Sequence, residues 1–223
     1  MMLPRLYAIA DVGVLAARGV SLREFAEGLR AAGVTLVQLR DKDGSPQKVL
    51  AGAAVLREVF GLDGVLIMND RADLAVLAGF DGVHVGQGDL SVVDAKAVVC
   101  FRKRYPTLPG DEAAGRGWGT RLVGLSTHSV EQVIGAGEAD YVAVGPVFAT
   151  ATKLDAEPVV GLEGVRRARG LTTKPLVAIG GITRENCLSA VEAGADSVAV
   201  ISGLIVAGET VEKVARDFLA ILG

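Results

Sequence analysis

The sequence predicts an α/β chain folded as a single-domain (β/α)8 TIM barrel over residues 1–223, and three observations predict it. Short β-branched or aliphatic runs alternate with amphipathic segments along almost the whole length. There are eight such runs in 223 residues, the size of one barrel domain. Each run is followed by polar or glycine residues: Asp11, Arg40, Asn69, Gln87, Ser126, the Gly145–Pro146 turn, Gly181 and Ser202. A doubly wound sheet usually has fewer strands and no reason to end each one this way, whereas a barrel gathers all eight ends on one rim.

The runs follow in order. LYAIA (6–10) precedes a helical segment that opens on a capping box, Ser21 to Glu24, and closes at Gly33. VTLVQL (34–39) is followed by Ser45–Pro46, which puts proline at the first helical position, where its missing N–H costs nothing; Gly61 fits the far end. VLIM (65–68) leads to a helix ending near Gly79, and DGVHV (81–85) to a helix ending near residue 100. Residues 101–120, FRKRYPTLPGDEAAGRGWGT, break the rhythm with Pro, Gly and charge. They join a helix to a strand, so they are expected as a loop excursion at the bottom face, away from the chemistry. RLVGL (121–125) leads to a second capping box, Ser129 to Gln132. After DYVAVG (140–145), residues 147–164 form a long rim loop carrying Lys153, a candidate lid. PLVAIG (175–180) and SVAVI (197–201) complete the set.

Composition narrows the function. Half the residues are hydrophobic, enough for a large core, yet charged residues interrupt every long apolar stretch before it reaches a membrane span. The opening MMLPRLYAIAD lacks a basic region followed by an apolar core, so no secretion signal is expected. A net charge of −3 offers no electrostatic case for nucleic acid or an anionic membrane as partner. Cys100 and Cys187 fall in predicted helices and suggest neither a metal site nor a disulfide. A reduced, cytoplasmic protein acting on small molecules is expected; the pattern leaves homo-oligomerisation open.

Three constellations carry chemistry. MNDR (68–71) and GQGDL (86–90) follow neighbouring strands and each offers one carboxylate, Asp70 and Asp89. Two such groups leaving adjacent strands at one end repel unless a cation sits between them, and hard oxygen ligands suggest Mg²⁺ working with phosphates. Alternatively, each Asp caps the helix that follows it. QLRDK (38–42) closes its strand with Gln38 and Arg40 on one face and Lys42 further out; Arg40 can grip two phosphate oxygens at once. AIGGIT (178–183) and ISG (201–203) supply glycine turns after the seventh and eighth strands, each read as opening a helix, the common phosphate site of such barrels. His84 is read as a hydrogen-bonded barrel residue and His128 as a helix-entry residue; GLSTH lacks the G-x-S-x-G form of a nucleophile elbow.

Taken in order, QLRDK, MNDRADLA, DGVHVGQGDL, GLSTH, GPVFATATK, AIGGI and VAVIS resemble the thiamine-phosphate synthase family from about Leu6 to Ser202. The resemblance implies condensation of 4-amino-2-methyl-5-hydroxymethylpyrimidine diphosphate with a thiazole phosphate, or its carboxylate, giving thiamine phosphate and pyrophosphate. It assigns Gln38, Leu39, Arg40, Asp41, Lys42, Asn69, Ser126 and Lys153 to the pyrimidine diphosphate and Asp70 and Asp89 to Mg²⁺. Thr150, Ala151, Thr152, Gly181, Ile201 and Ser202 fall to the thiazole phosphate. Arg40, Lys153 and Ser126 are the implied catalytic groups of a dissociative substitution. Gly88 stands where the family usually has an acidic residue, Lys96 where arginine is common, and the 101–120 segment is longer than usual. A thiazole tautomerase, which shifts a proton, would not need the whole diphosphate set, and a non-catalytic thiazole phosphate sensor would show no turnover.

Overall fold

The computed structural model describes residues 2–101, 122–150 and 158–223. Eight parallel strands pair in chain order: β1 (Leu6–Asp11), β2 (Leu36–Arg40), β3 (Val65–Asn69), β4 (Gly82–Val85), β5 (Leu122–Thr127), β6 (Tyr141–Val144), β7 (Leu176–Ile179) and β8 (Ser197–Val200). Pairing of β1 with β8 closes the barrel. Around it lie α1 (Val12–Ala17), α2 (Leu22–Ala32), α3 (Pro46–Phe60), α4 (Ala72–Leu77), α5 (Val92–Phe101), α6 (Val130–Ile134), α7 (Gly161–Leu171), α8 (Cys187–Glu192) and α9 (Val211–Leu222). The expected runs become these strands with ends shifted by a residue or two. The largest extension is in β5, which continues through Ser126 and Thr127 because both stay paired with β6.

Alternation decides what each strand residue faces. Tyr7, Leu36, Ile67, Leu122, Tyr141, Val177 and Ala199 fill the barrel interior. Their neighbours one position along, such as Val37, Leu66, Val123, Val142 and Val198, pack outward beneath the helices. The helix starts are local. Ser21, Ser45 and Ser129 each accept the backbone N–H three residues on, with Pro46 following Ser45 as expected. Gly33 closes α2 at φ +92.

The lower end of the barrel repeats one device. Asp81, Asp140 and Asp196, just before β4, β6 and β8, accept the N–H of Leu66, Val123 and Leu176 at 2.9, 2.8 and 2.8 Å. Each carboxylate is also paired with a cation: Arg57, Lys96 and Arg169 respectively. Lys96 therefore serves the base of the barrel, where exchange with arginine touches no rim group.

Residues 102–121 lie outside the described residues, so the excursion expected at 101–120 falls almost wholly on them. The chain leaves the described part at the end of α5 and returns at the start of β5, on the side opposite the strands' C-terminal ends. Shortening 104–118 to a brief glycine-containing turn is expected to leave kcat within about twofold. A large loss of kcat in a folded shortened variant would show that the segment reaches the rim. No helix among the described residues is long and apolar enough to cross a membrane.

Candidate active site

Inward-facing residues at the C-terminal ends of the strands open into a cavity of about 470 Å³. Gln38, Arg40 and Lys42 line it from β2 and the turn beyond. Asn69, Asp70 and Asp89 line it from the β3 and β4 ends. Ser126 enters from β5, and Thr150, Gly181, Ile201 and Ser202 come from the loops after β6, β7 and β8. Two residues of the expected set turn away. The Leu39 side chain belongs to the layer between strands and helices, so only its backbone can serve a ligand at the rim. The Asp41 carboxylate folds over its own turn, where a Cβ on Gly44 would fall 2.0 Å from Oδ2. Ala151, Thr152 and Lys153 lie outside the described residues, as do residues 154–157 of the expected lid; the last four residues of that span, Gly161 to Gly164, are not loop but the start of α7.

Asp70 reaches the bowl through an unusual backbone. Strand alternation would send it outward, but it adopts φ +58 and its N–H bonds His84 O at 2.8 Å. Among non-glycine residues, Asp and Asn best tolerate this left-handed conformation. Burial, then the neighbouring Asp89 carboxylate, pushes the Asp70 carboxyl up to about 6, while Lys42 pulls the other way. Neither Asp caps a helix with its side chain. The start of α4 has no side-chain cap bond, and Asp89 Oδ2 instead accepts Gly86 N–H at 2.8 Å, closing the 86–89 turn. Two abutting carboxylates would by themselves make only an incomplete cation site, and no group of three or more His, Cys, Asp or Glu suited to a metal occurs among the described residues. That fits Mg²⁺, which takes one or two protein carboxylates and completes its shell with phosphate oxygens and water.

The glycine corner differs in one respect from expectation. Gly180 and Gly181 do not open a helix: α8 begins only at Cys187. The intervening turn is closed by Asn186, whose Oδ1 accepts Thr183 N–H at 2.8 Å and whose Nδ2 donates to Gly181 O at 2.9 Å. The side chain of Asn186 thus competes with helical hydrogen bonding and delays the helix. A single 3-10 turn, Ser202–Leu204, follows β8 as the expected extra helix. Glycine matters here because the backbones crowd. Gly181 sits at φ +63, and a Cβ on it would lie 2.5 Å from Ala149 O.

Several bowl residues were not singled out as site residues from the sequence. Asp11 caps α1 through Val14 N–H and also holds Arg40 Nη1, which orients the guanidinium toward the rim. Gln87 Nε2 donates to Ser126 O at 2.6 Å, and His128 Nδ1 bonds Gly145 O at 2.6 Å. Beneath the bowl, Tyr7, Tyr141 and His84 link Gln38 to Ser126 through hydrogen bonds. A polar residue ending a strand was the available signal for Asp11 and Gln87; the tyrosines lie inside the apolar runs LYAIA and DYVAVG and carry no such signal.

A closed parallel barrel with cationic, acidic and glycine-rich corners converging at its C-terminal rim defines a phosphate-handling (β/α)8 enzyme. A family model described as thiamine monophosphate synthase matches residues 6–102 and 111–204. The thiamine-phosphate synthase of Koribacter versatilis is 48% identical over 224 residues, covering 99% of this chain and 96% of the relative. That of Chloroflexus aurantiacus is 38% identical over 221 residues, covering 98% and 92%. A solved thiamine phosphate pyrophosphorylase from Pyrococcus furiosus superposes with a TM-score of 0.75 at 30% identity, covering 98% of this chain and 95% of that one. The chain belongs to the thiamine monophosphate synthase family.

Proposed function

We propose that this chain is a Mg²⁺-dependent thiamine-phosphate synthase that joins 4-amino-2-methyl-5-hydroxymethylpyrimidine diphosphate to a thiazole phosphate, acting as one cytoplasmic barrel domain over residues 1–223. The observation that carries this is convergence: groups suited to a diphosphate, a divalent cation and a second phosphate line one cavity. In the reaction, the methylene C–O bond breaks and pyrophosphate leaves with the bonding electrons. The resulting pyrimidinylmethyl cation, stabilised by its ring amine, forms a C–N bond to the thiazole nitrogen. Arg40, held by Asp11, and Lys42 bind the diphosphate; Lys153 belongs to the same set by resemblance. Asp70 and Asp89 would hold Mg²⁺, which would supply neutralisation of charge on the leaving group. Asn69, Gln38 and Ser126 orient the pyrimidine, while Thr150, Gly181, Ile201 and Ser202, with Ala151 and Thr152 by resemblance, hold the thiazole phosphate. No residue need act as strong base or nucleophile; positioning and electrostatics suffice. Leu39 and Asp41 take part through backbone alone. Incubating the chain with both substrates and Mg²⁺ should give thiamine phosphate and pyrophosphate in equal amounts. Binding without turnover would refute the proposal.

The raised Asp70 carboxyl sets a pH dependence. Without cation the folded form holds this proton more tightly than the unfolded chain. That contribution favours the fold below the ordinary carboxylate range, near pH 4, and fades as pH rises through about 6. Mg²⁺ must displace the proton to bind. Millimolar Mg²⁺ is therefore expected to raise Tm at pH 7.5 and to lose that effect below about pH 5.5. An equal Tm rise at both pH values would place cation binding elsewhere.

A further inference from the structure

Five polar side chains from five different strands form one continuous hydrogen-bonded chain below the bowl. Gln38 Nε2 donates to Tyr7 OH at 2.8 Å, and Tyr7 OH lies 2.9 Å from Tyr141 OH. Tyr141 OH lies 3.0 Å from His84 Nδ1, and His84 Nε2 lies 2.8 Å from Ser126 Oγ. Gln38, Tyr7, Tyr141 and His84 are 3%, 1%, 1% and 7% exposed, so their polar atoms depend on one another for partners.

The donor at one end determines the rest. Because Tyr7 accepts from the Gln38 amide, its own hydrogen goes to Tyr141. Tyr141 then donates to His84 Nδ1. A neutral imidazole that accepts at Nδ1 carries its proton on Nε2, which donates to Ser126 Oγ. Both ring nitrogens of this buried imidazole face neutral hydroxyl oxygens, Tyr141 OH and Ser126 Oγ, with no anion bonded to either to hold a second proton, so it is neutral. The packing is made for this chain. The Tyr141 ring lies at 26° to His84 with centroids 5.5 Å apart, and Gly124 leaves it room: a Cβ there would fall 2.0 Å from Tyr141 Cζ.

We infer that Tyr7, Tyr141 and His84 are positioning residues that set the proton polarity of the bowl. They leave the Ser126 hydroxyl to donate and the Gln38 carbonyl oxygen to accept. A donor and an acceptor so fixed suit a heteroaromatic ring bearing a nitrogen lone pair and an exocyclic amine. The ligand assignment rests on the proposed function; the polarity does not.

The full chain, labelled with ¹⁵N in its histidine rings and free of ligand, tests the polarity by two-bond ¹⁵N–¹H correlation. It has only two histidines, so a His128→Gln variant assigns the signal of His84. The expected tautomer has its proton on Nε2; a proton on Nδ1 would mean the chain runs the other way and overturns the inference. Tyr141→Phe keeps the ring and cuts the chain. It is expected to raise KM for the pyrimidine diphosphate about tenfold, as for one lost buried hydrogen bond, and to leave KM for the thiazole phosphate within about twofold. Tyr7→Phe cuts the chain one link earlier and should give the same split, along with a mixture of His84 tautomers. Equal changes in both KM values, or none, overturn the inference. Failure of the wild type to make thiamine phosphate would instead refute the proposed function, because the tautomer is read without substrate.

Discussion

Replacing Asp70 or Asp89 with asparagine is expected to lower kcat by about two orders of magnitude or more, equivalent to roughly 3 kcal/mol of lost transition-state stabilisation. Charge builds on the pyrophosphate as it leaves, and the proposed cation is held against it by these two carboxylates. The substitution isolates charge from fold. Asparagine is as acceptable as aspartate at the left-handed backbone of residue 70, and an amide oxygen at residue 89 can still accept Gly86 N–H. Neither change removes a helix cap, since α4 has no side-chain cap bond and Asp89 closes its own turn. Loss of one charge also relieves the repulsion between the two neighbouring carboxylates, so apo stability should hold or rise. Excess Mg²⁺ should restore part of the activity by mass action. The measurement is a Mg²⁺ titration of activity for the wild type and both variants. Superimposable curves with near-normal maxima would show that these carboxylates do not hold the metal.

Gly181→Asp is expected to raise KM for the thiazole phosphate by about a hundredfold or more while changing KM for the pyrimidine diphosphate only a few fold. Like-charge repulsion is one cause. The second is steric: at φ +63 any side chain is strained, and its Cβ would meet Ala149 O at 2.5 Å and the Phe148 side chain at 2.8 Å. Gly181→Ala should therefore carry much of the defect without added charge, and the step from Ala to Asp measures the electrostatic part. Gly79→Ala is the control for backbone strain. Gly79 also has a positive φ, +66, but nothing lies within 4 Å of its Cβ position, so Tm should fall a few degrees with both KM values unchanged. An Asp variant that folds and raises both KM values alike would remove Gly181 from the thiazole phosphate corner.

Local regularities in the chain determined the barrel and most of its rim. Short β-branched or aliphatic runs marked the eight strands, serine caps and Pro46 marked helix starts, and the parity of Gln38 and Arg40 put both on one face, which is the inward one. The same parity misplaces Asp70, which only its left-handed backbone turns into the bowl. Nor could spacing show that Asn186 delays α8, since that depends on a side chain outcompeting helical bonds. The hydroxyls of Tyr7 and Tyr141 lie 134 positions apart in the chain and meet at 2.9 Å, and Asp11 finds Arg40 across paired strands. Periodicity and capping act over a few neighbouring residues, so the sequence by itself determined which elements form and which faces they bury. Which buried polar group satisfies which was decided only by closing the ring, because desolvation demands a partner and the closed barrel alone brings distant strands within hydrogen-bond reach.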